Sequence, residues 1–179
     1  MIYIVSLIVA GGVLAIDLTT KYFANLQNWN FVVINELLKF KLTFNTGAAF
    51  SFLSDKDWAM TFFIAVTFLF MLAVLGFYIY HAVKKKKLSK WLAISCSLIF
   101  SGALGNFIDR VALGRVRDFI FVFYNTNIFP AIFNVADMAL VIGVIMVCFY
   151  LLFLDKDAVF KKSKKHVEKE EDGNKNDND

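Results

Sequence analysis

Four long runs of hydrophobic residues dominate the pattern of the chain. Each can form a membrane-spanning helix, because a bilayer core of about 30 Å needs about 20 helical residues. The most uniform run, 58–83, contains no Asp, Glu, Lys or Arg. The pattern therefore predicts an all-α polytopic membrane protein with four transmembrane helices, at about 2–24, 58–83, 91–110 and 132–154.

The first run becomes polar towards its end, at Asp17 and Lys21. These residues are four positions apart, so they lie on one helical face and can form an ion pair. The pair can be a helix end whose charges reach the membrane surface, or it can support a functional site. A cleaved signal peptide is a competing interpretation of the run. It lacks basic residues at its start and a clear cleavage site, so we expect an uncleaved helix.

Two long outer connections, 25–57 and 111–131, join the first helix to the second and the third to the fourth. Residues 38–44 alternate apolar and polar side chains, which predicts a half-exposed strand. The sequence Asn45-Thr46-Gly47 is typical of a turn, but the Asn45 amide can equally bind a peptide. The apolar run 119–124 is too short to cross the bilayer and suits its interface. We therefore expect a small extracytoplasmic β/loop subdomain over the active site.

Lysines cluster between the second and third helices, at positions 84–87 and 90. Because cytoplasmic loops carry an excess of Lys and Arg, this loop is placed inside, together with both termini. The outer connections also contain basic residues, but less densely. Residues 155–179 are rich in charge, and we expect them to form a disordered cytoplasmic tail after a membrane domain of residues 1–154.

Composition supports the membrane class and narrows the chemistry. Hydrophobic residues make up 59% of the chain, with 21 phenylalanines and one proline. We expect no nucleic-acid binding, because the basic residues lie beside the spans without aromatic side chains for stacking. Both cysteines lie in apolar runs, and the two histidines belong to no HExxH motif. We therefore expect no metal and no cofactor.

Three aspartates, at positions 109, 118 and 137, lie in or beside apolar sequence. Charges at membrane depth are unfavourable, so such residues indicate a functional site by default. Two adjacent carboxylates share a proton, and one can act as a base on water while the other acts as an acid. Asp118 and Asp137 are therefore candidates for a catalytic pair. The alternatives are a helix cap formed by Asn134 and Asp137, and ion pairs with the neighbouring arginines.

Other classes of membrane protein also place acids in their helices. A proton-coupled small transporter would do so, but it needs a polar path, and the span 58–83 carries no charge. A structural membrane subunit would use the polar residues only for packing. Rhomboid-like and presenilin-type peptidases would show motifs such as GxSG and GxGD, and the sequence contains neither.

Five motifs, in this order, resemble those of bacterial lipoprotein signal peptidase, also called signal peptidase II. They are DLTTK at 17–21, FNTGAAF at 44–50, GALGNFIDR at 102–110, DF at 118–119 and FNVAD at 133–137. The resemblance covers about residues 1–155. It implies an aspartic endopeptidase that removes the signal peptide from diacylglyceryl-modified prolipoproteins, cleaving just before the lipidated cysteine.

The resemblance also implies roles for residues and partners. Asp118 and Asp137 would be the catalytic pair. Four further residues would orient the pair or hold the peptide: Asn106, Asp109, Arg110 and Asn134. Another four would support the pocket: Asp17, Lys21, Asn45 and Gly47. The implied enzyme is a cofactor-free monomer of the bacterial cytoplasmic (inner) membrane, with its active site near the outer face. Its implied partners are diacylglyceryl-prolipoproteins, membrane lipids and cyclic peptide inhibitors of the globomycin type.

The chain departs from the family pattern at three positions. Leu18 replaces a residue that is commonly polar, and Met138 replaces a small hydroxyl residue. Arg117 precedes Asp118 where an apolar residue is usual. If Arg117 faced Asp118, its charge would lower the pKa of that carboxyl. Neighbouring side chains of an extended segment point to opposite faces, so we expect Arg117 to face lipid headgroups.

Overall fold

The computed structural model describes residues 2–46, 58–83, 89–124 and 131–154. Within these ranges the long helices are α1 (Ile2–Leu26), α2 (Ala59–Val83), α3 (Lys90–Leu113) and α4 (Val135–Phe149), the last continuing as a π-helical turn over Tyr150–Leu154. These helices provide four segments long and apolar enough to cross a membrane. The lysine cluster at 84–87, the tail 155–179 and Gly47 lie outside the described residues.

The third helix, α3, is the centre of the bundle. Half of its most apolar stretch is buried, against about a tenth or less in each of the other three helices. Its buried face consists largely of small residues, among them Ser95, Ser101, Ala103 and Gly105. Small side chains let helix backbones approach closely, and such packing holds helices together where the surrounding lipid is itself apolar.

At Gly105, α1, α3 and α4 pack closely together. A Cβ atom added there would overlap the carboxylate of Asp17 on α1 and would lie 3.2 Å from the Cβ of Ala136 on α4. Only glycine leaves room for a buried carboxylate between the helices at this level. The small-residue face of α3 therefore creates the space into which α1 directs its charged side chains.

A four-stranded antiparallel sheet covers one end of the bundle, with its strands in the order of the sequence. The strands are β1 (Asn30–Ile34), β2 (Leu38–Asn45), β3 (Val116–Val122) and β4 (Ala131–Phe133). Thr43 of β2 lies opposite Asp118 of β3, after an irregularity in the register that begins at Phe40. The last residue of β2, Asn45, lies opposite the first residue of β3, Val116, so the end of β2 lies beside Asp118.

Aromatic side chains form the core of the sheet. The ring of Trp29 lies 5.5 Å from that of Phe119 and 5.7 Å from that of Phe40, in edge-to-face contacts. Phe31 stacks on Phe40 at 5.4 Å. Phe119, next to Asp118 in sequence, is 1% exposed. Edge-to-face and stacked rings add to the stability gained by burial, so this cluster fixes β3 in place beside the bundle.

The predicted fold class, four membrane-spanning helices with a small β subdomain, is confirmed. The strand predicted at 38–44 is β2, and the run 119–124, interpreted as an interfacial segment, belongs mostly to β3. The span predicted at 132–154 differs at its start: residues 131–133 form β4, and α4 begins only at Val135. Hydrophobicity alone placed the boundary too early, because the edge strand β4 is as apolar as the helix that follows the cap residue Asn134.

We expect Gly105→Ala to destabilise the protein, because the added methyl group would displace the buried Asp17 carboxylate. Overpacking of this kind typically costs about 1–3 kcal/mol. Thermal unfolding in detergent should show a clearly lower Tm. The matched control is Gly11→Ala in α1, where an added Cβ atom meets nothing within 4 Å; equal Tm values for the two variants would contradict the close approach.

Candidate active site

Asn134 joins two aspartates that are 19 residues apart in sequence, Asp118 on β3 and Asp137 in the first turn of α4. Its side-chain Nδ2 donates to Asp118 Oδ1 at 2.6 Å. Its backbone N–H donates to Asp137 Oδ2 at 3.0 Å. One residue between strand and helix therefore holds one oxygen of each carboxylate, and the sequence-predicted pair is brought together.

The interpretation of Asp137 as part of a helix cap is correct in geometry but incomplete. Asn134 Oδ1 accepts from the Asp137 backbone N–H at 3.0 Å, which completes a capping box at the start of α4. The cap uses only Asp137 Oδ2. The other oxygen, Oδ1, accepts from Asn106 Nδ2 at 2.7 Å. Hydrogen bonds to both oxygens fix the rotation of this carboxylate.

Asn45 completes the hydrogen bonding of Asp118. It is the last residue of β2, and its Nδ2 donates to Asp118 Oδ2 at 3.0 Å. The sequence left open whether Asn45 belonged to a turn or to a binding loop. The structure instead places it at a strand end, where the β2–β3 register directs its amide to the carboxylate.

Burial and the neighbouring charge of Asp137 raise the pKa of Asp118 from 3.8 to about 6. Hydrogen bonds from Asn45 and Asn134 and the charge of Lys21 oppose this shift without cancelling it. Asp118 is 3% exposed, whereas Asp137 is partly exposed. The two carboxylates therefore occupy unlike environments, which is the condition for dividing acid and base roles between them.

Lys21 is fully buried and supplies a positive charge beneath the pair. Its Nζ lies 2.8 Å from Asp17 Oδ2 and 2.9 Å from Asn106 Oδ1. The predicted ion pair of Asp17 with Lys21 is confirmed, and the alternative of a helix end at the membrane surface is wrong, because both side chains are 0% exposed. Since Lys21 occupies the oxygen of the Asn106 amide, the nitrogen of that amide must point to Asp137.

Asp17 connects the first helix to the last. Its Oδ1 accepts from the backbone N–H of Ala136 at 2.8 Å. The first backbone N–H groups of a helix lack partners within the helix and carry partial positive charge, so a carboxylate there is stabilised. Asp17 therefore stabilises the turn of α4 that contains Asp137.

Arg117 does not face lipid headgroups, and that expectation is wrong. Its Nη2 lies 2.6 Å from Asp109 Oδ1, its Nε donates to Asp109 Oδ2 at 3.2 Å, and its backbone N–H also donates to Oδ2. The side chain is 15% exposed, while Asp109 is fully buried. Alternation along β3 correctly directs Arg117 away from Asp118, but that direction leads into the protein, onto the end of α3.

Arg110 is the third cation of the cluster. Its guanidinium lies 5.6 Å from the ring centre of Phe63 on α2 and interacts electrostatically with Asp137, Asp118 and Asp109. Its Nε is buried without a hydrogen-bond partner among the described residues. Arg110 thus places a positive charge near both carboxylates of the pair and links α3 to α2.

The structure gathers into one cluster all the described residues that the sequence singled out: Asp17, Lys21, Asn45, Asn106, Asp109, Arg110, Asp118, Asn134 and Asp137. Gly47 lies outside the described residues. The sequence reasoning missed Arg117 as a member. Within the described ranges, no group of three or more His, Cys, Asp or Glu side chains is arranged to hold a metal ion.

We expect the Asp118 carboxyl to titrate near pH 6 in the folded protein. Infrared difference spectroscopy of protein with isotope-labelled aspartate should detect this step. In Asp137→Asn the apparent pKa should fall, because the like charge that disfavours ionisation of Asp118 is gone. An apparent pKa near 3.8 in the wild type, or no change in Asp137→Asn, would contradict the coupling of the two groups.

The sequence matches the family model described as signal peptidase (SPase) II over residues 9–153. A lipoprotein signal peptidase of Staphylococcus aureus strain MRSA252 is 40% identical over 165 residues, which cover 89% of this chain and 93% of that protein. A lipoprotein signal peptidase of Geobacter metallireducens is 50% identical over 110 residues, covering 59% of this chain and 63% of that protein.

Solved structures of membrane enzymes share the fold of this chain. Two structures of bacterial membrane enzymes superpose with TM-scores of 0.70 and 0.68, each at 38% identity and over 83% of this chain. The superposition covers 87% of the first enzyme's chain and 93% of the second's. With its four membrane-spanning helices and its paired aspartates, this chain belongs to the signal peptidase II family.

Proposed function

We propose that Asp118 and Asp137 form the catalytic dyad with which this peptidase cleaves signal peptides from prolipoproteins. The observation that carries the proposal is the pairing of two carboxylates of unlike exposure through Asn134, at distances of 2.6 and 3.0 Å. Such a pair shares one proton and hydrolyses a peptide bond without a cofactor. The family and its curated relatives, which are named lipoprotein signal peptidases, support the reaction.

The unlike environments of the two aspartates assign their roles. Asp118 holds the shared proton, because burial and the charge of Asp137 raise its pKa to about 6. Asp137 is partly exposed and takes a proton from the attacking water, whose oxygen bonds to the scissile carbonyl carbon. Asp118 gives its proton to the carbonyl oxygen. The resulting diol collapses as Asp137 returns its proton to the leaving nitrogen, the carbon–nitrogen bond breaks, and one diol hydroxyl gives its proton back to Asp118.

The substrate we propose is a prolipoprotein whose cysteine already carries diacylglycerol, cleaved just before that cysteine. Its acyl chains must stay in lipid while the scissile bond meets water. Near the site, the end of α1 exposes Tyr22, Phe23 and Leu26 by 56, 43 and 63%. This apolar exterior suits a site at the edge of the bilayer, where chains and water are both within reach.

We place the enzyme in the bacterial cytoplasmic (inner) membrane, with both termini cytoplasmic and the active site near the outer face. The dyad lies at the end of the bundle where α1 and α3 finish and α4 begins. At the opposite end of the bundle α2 finishes at Val83 and α3 begins at Lys90. The sequence between them is rich in lysine, which favours the cytoplasmic side. We also propose that the enzyme is a monomer, that its partners include membrane lipids, and that cyclic peptides of the globomycin type inhibit it.

A proton-coupled transporter and a structural subunit are not favoured. The relatives that match the chain are named as peptidases, and the acids are concentrated in one cluster with its cations. Every hydrogen bond of the dyad described above comes from an amide group, an arrangement that orients carboxylates rather than conducting ions across the bilayer.

Substitution tests the dyad directly. Asp118→Asn and Asp137→Asn should each lower kcat by about 10²-fold or more, since each removes one half of the acid–base pair. Cleavage of a diacylglyceryl-prolipoprotein is followed by gel shift in lipid, with the unmodified precursor in parallel. The matched control is Glu36→Gln, which neutralises an exposed acid in the turn between β1 and β2.

Near wild-type cleavage by a folded Asp118→Asn or Asp137→Asn protein would remove that residue from the chemistry. Equal cleavage of the unmodified precursor by wild-type enzyme would remove the lipid requirement while leaving the dyad in place.

Cysteine labelling on intact cells tests the orientation. Glu36→Cys, in the β1–β2 turn, should react with a membrane-impermeant maleimide, whereas Lys86→Cys should react only after permeabilisation. Both variants are built on Cys148→Ser, because Cys148 is exposed whereas Cys96 is buried. The reverse labelling pattern would place the sheet and the dyad on the cytoplasmic side.

A further inference from the structure

Asp109 lies between two cations that it holds in different ways. The Arg117 guanidinium binds both carboxylate oxygens of Asp109, with Nη2 at 2.6 Å from Oδ1 and Nε at 3.2 Å from Oδ2. The Arg117 backbone N–H also donates to Oδ2, at 3.0 Å. Lys21 Nζ is 3.6 Å from Asp109 Oδ2, beyond ordinary hydrogen-bond distance. The short contacts of Lys21 go instead to Asp17 at 2.8 Å and to Asn106 at 2.9 Å.

The contact of Lys21 with Asn106 determines the orientation of a group that touches the dyad. An amide side chain has one acceptor end and one donor end. Because Asn106 Oδ1 accepts from Lys21 and from Asn134 Nδ2, its own Nδ2 is left for Asp137, at 2.7 Å. Movement of Lys21 would therefore change the hydrogen bonding of Asp137 without any substitution in the dyad.

We infer that Arg117 is a positioning residue for the dyad: by holding Asp109, it keeps Lys21 on Asn106 and so keeps the Asn106 amide on Asp137. The inference rests on the proposed function of Asp118 and Asp137. Without Arg117, the buried Asp109 carboxylate would have Lys21 as its nearest described partner, at 3.6 Å. A buried carboxylate needs a close counter-charge, so Lys21 would shift towards it and away from Asn106.

Charge balance supports this role. Among the described residues, the cluster contains four carboxylates and three cations: Asp17, Asp109, Asp118 and Asp137 with Lys21, Arg110 and Arg117. When the dyad carries one proton, negative and positive charges are equal in number.

The same contacts determine how the reaction rate depends on pH. Asp118 is influenced by Asp137 on α4, by Lys21 on α1 and by Arg110 on α3, and the charge of Lys21 lowers the pKa of Asp118. Asp109 is faced by Lys21 and Asp17 on α1 and by Arg117 on β3. If Lys21 moves towards Asp109, Asp118 loses stabilisation of its ionised form, so its pKa rises.

The experiment compares Arg117→Val and Arg117→Gln with wild type in steady-state cleavage of a diacylglyceryl-prolipoprotein across pH. Gln keeps an amide donor near Asp109 but removes the charge, so it covers the case in which Arg117→Val does not fold. Both substitutions should lower kcat by about 10- to 100-fold, the size of effect expected when a reacting group is misplaced. KM should change little, and the upper limb of the kcat/KM profile should move to higher pH.

Two further variants separate positioning from general stability. Arg115→Val removes a nearby exposed arginine, whose guanidinium stacks at 3.8 Å on the Phe44 ring, and should leave kcat and the pH profile unchanged. Arg117→Val/Asp109→Asn removes both charges of the pair, so Lys21 is no longer drawn away. This double variant should regain kcat and the wild-type upper limb relative to Arg117→Val, or relative to Arg117→Gln if the single valine variant does not fold.

Wild-type kcat and an unmoved upper limb in folded Arg117→Gln would overturn the inference, as would failure of the double variant to recover. Neither outcome tests the dyad, which is tested by the cleavage rates of Asp118→Asn and Asp137→Asn. Conversely, full activity of Asp118→Asn would remove the proposed function whatever the result at position 117.

Discussion

The buried ion pair of Asp17 and Lys21 is the interaction on which the rest of the site depends. Asp17 occupies the space left by Gly105 and accepts from the backbone of α4. Lys21 reaches Asn106 on α3 and, through it, the dyad. Removing one partner of such a pair leaves an uncompensated charge, which typically costs about 3–5 kcal/mol. The single turn of α1 that carries Asp17 and Lys21 thus fixes how α1, α3 and α4 pack against one another.

This arrangement explains how a membrane protein can keep charges away from water without losing their function. The carboxylates and cations of the cluster are held by amides, by backbone N–H groups and by one another. The two members of the dyad differ in exposure: Asp137 is partly exposed, whereas Asp118 is buried. Water can therefore reach the pair at Asp137, while Asp118 stays beneath it, in surroundings that favour the protonated form.

The sequence predicted the fold because hydrophobicity in four long runs leaves few alternatives in a bilayer. It also singled out the site residues, because polar side chains in apolar sequence are conspicuous and five motifs resembled one family. The pairing of Asp17 with Lys21 followed from helical spacing. The hydrophobic span began too early at 132, because β4 is apolar like the helix, whereas the cap predicted at Asn134 marks the start of α4.

The position of Arg117 could not be predicted for a different reason. Strand alternation correctly directs its side chain away from Asp118, but the side of β3 that faces the bundle depends on the packing of the aromatic cluster around Phe119. That packing joins Trp29, in the connection between α1 and β1, with Phe40 of β2 and Phe119 of β3, which is distant from both in sequence. Tertiary contacts of this kind decide whether an arginine meets lipid headgroups or a buried carboxylate.

The central claim is that the two aspartates activate water directly instead of forming a covalent intermediate. The most direct test is single-turnover cleavage of a diacylglyceryl-prolipoprotein in water enriched in ¹⁸O, followed by mass spectrometry of the released signal peptide and of the enzyme. We predict one ¹⁸O atom in the new carboxylate of the signal peptide and none in Asp118 or Asp137. Label in either aspartate would show that the carboxylate had been acylated, and would contradict the account.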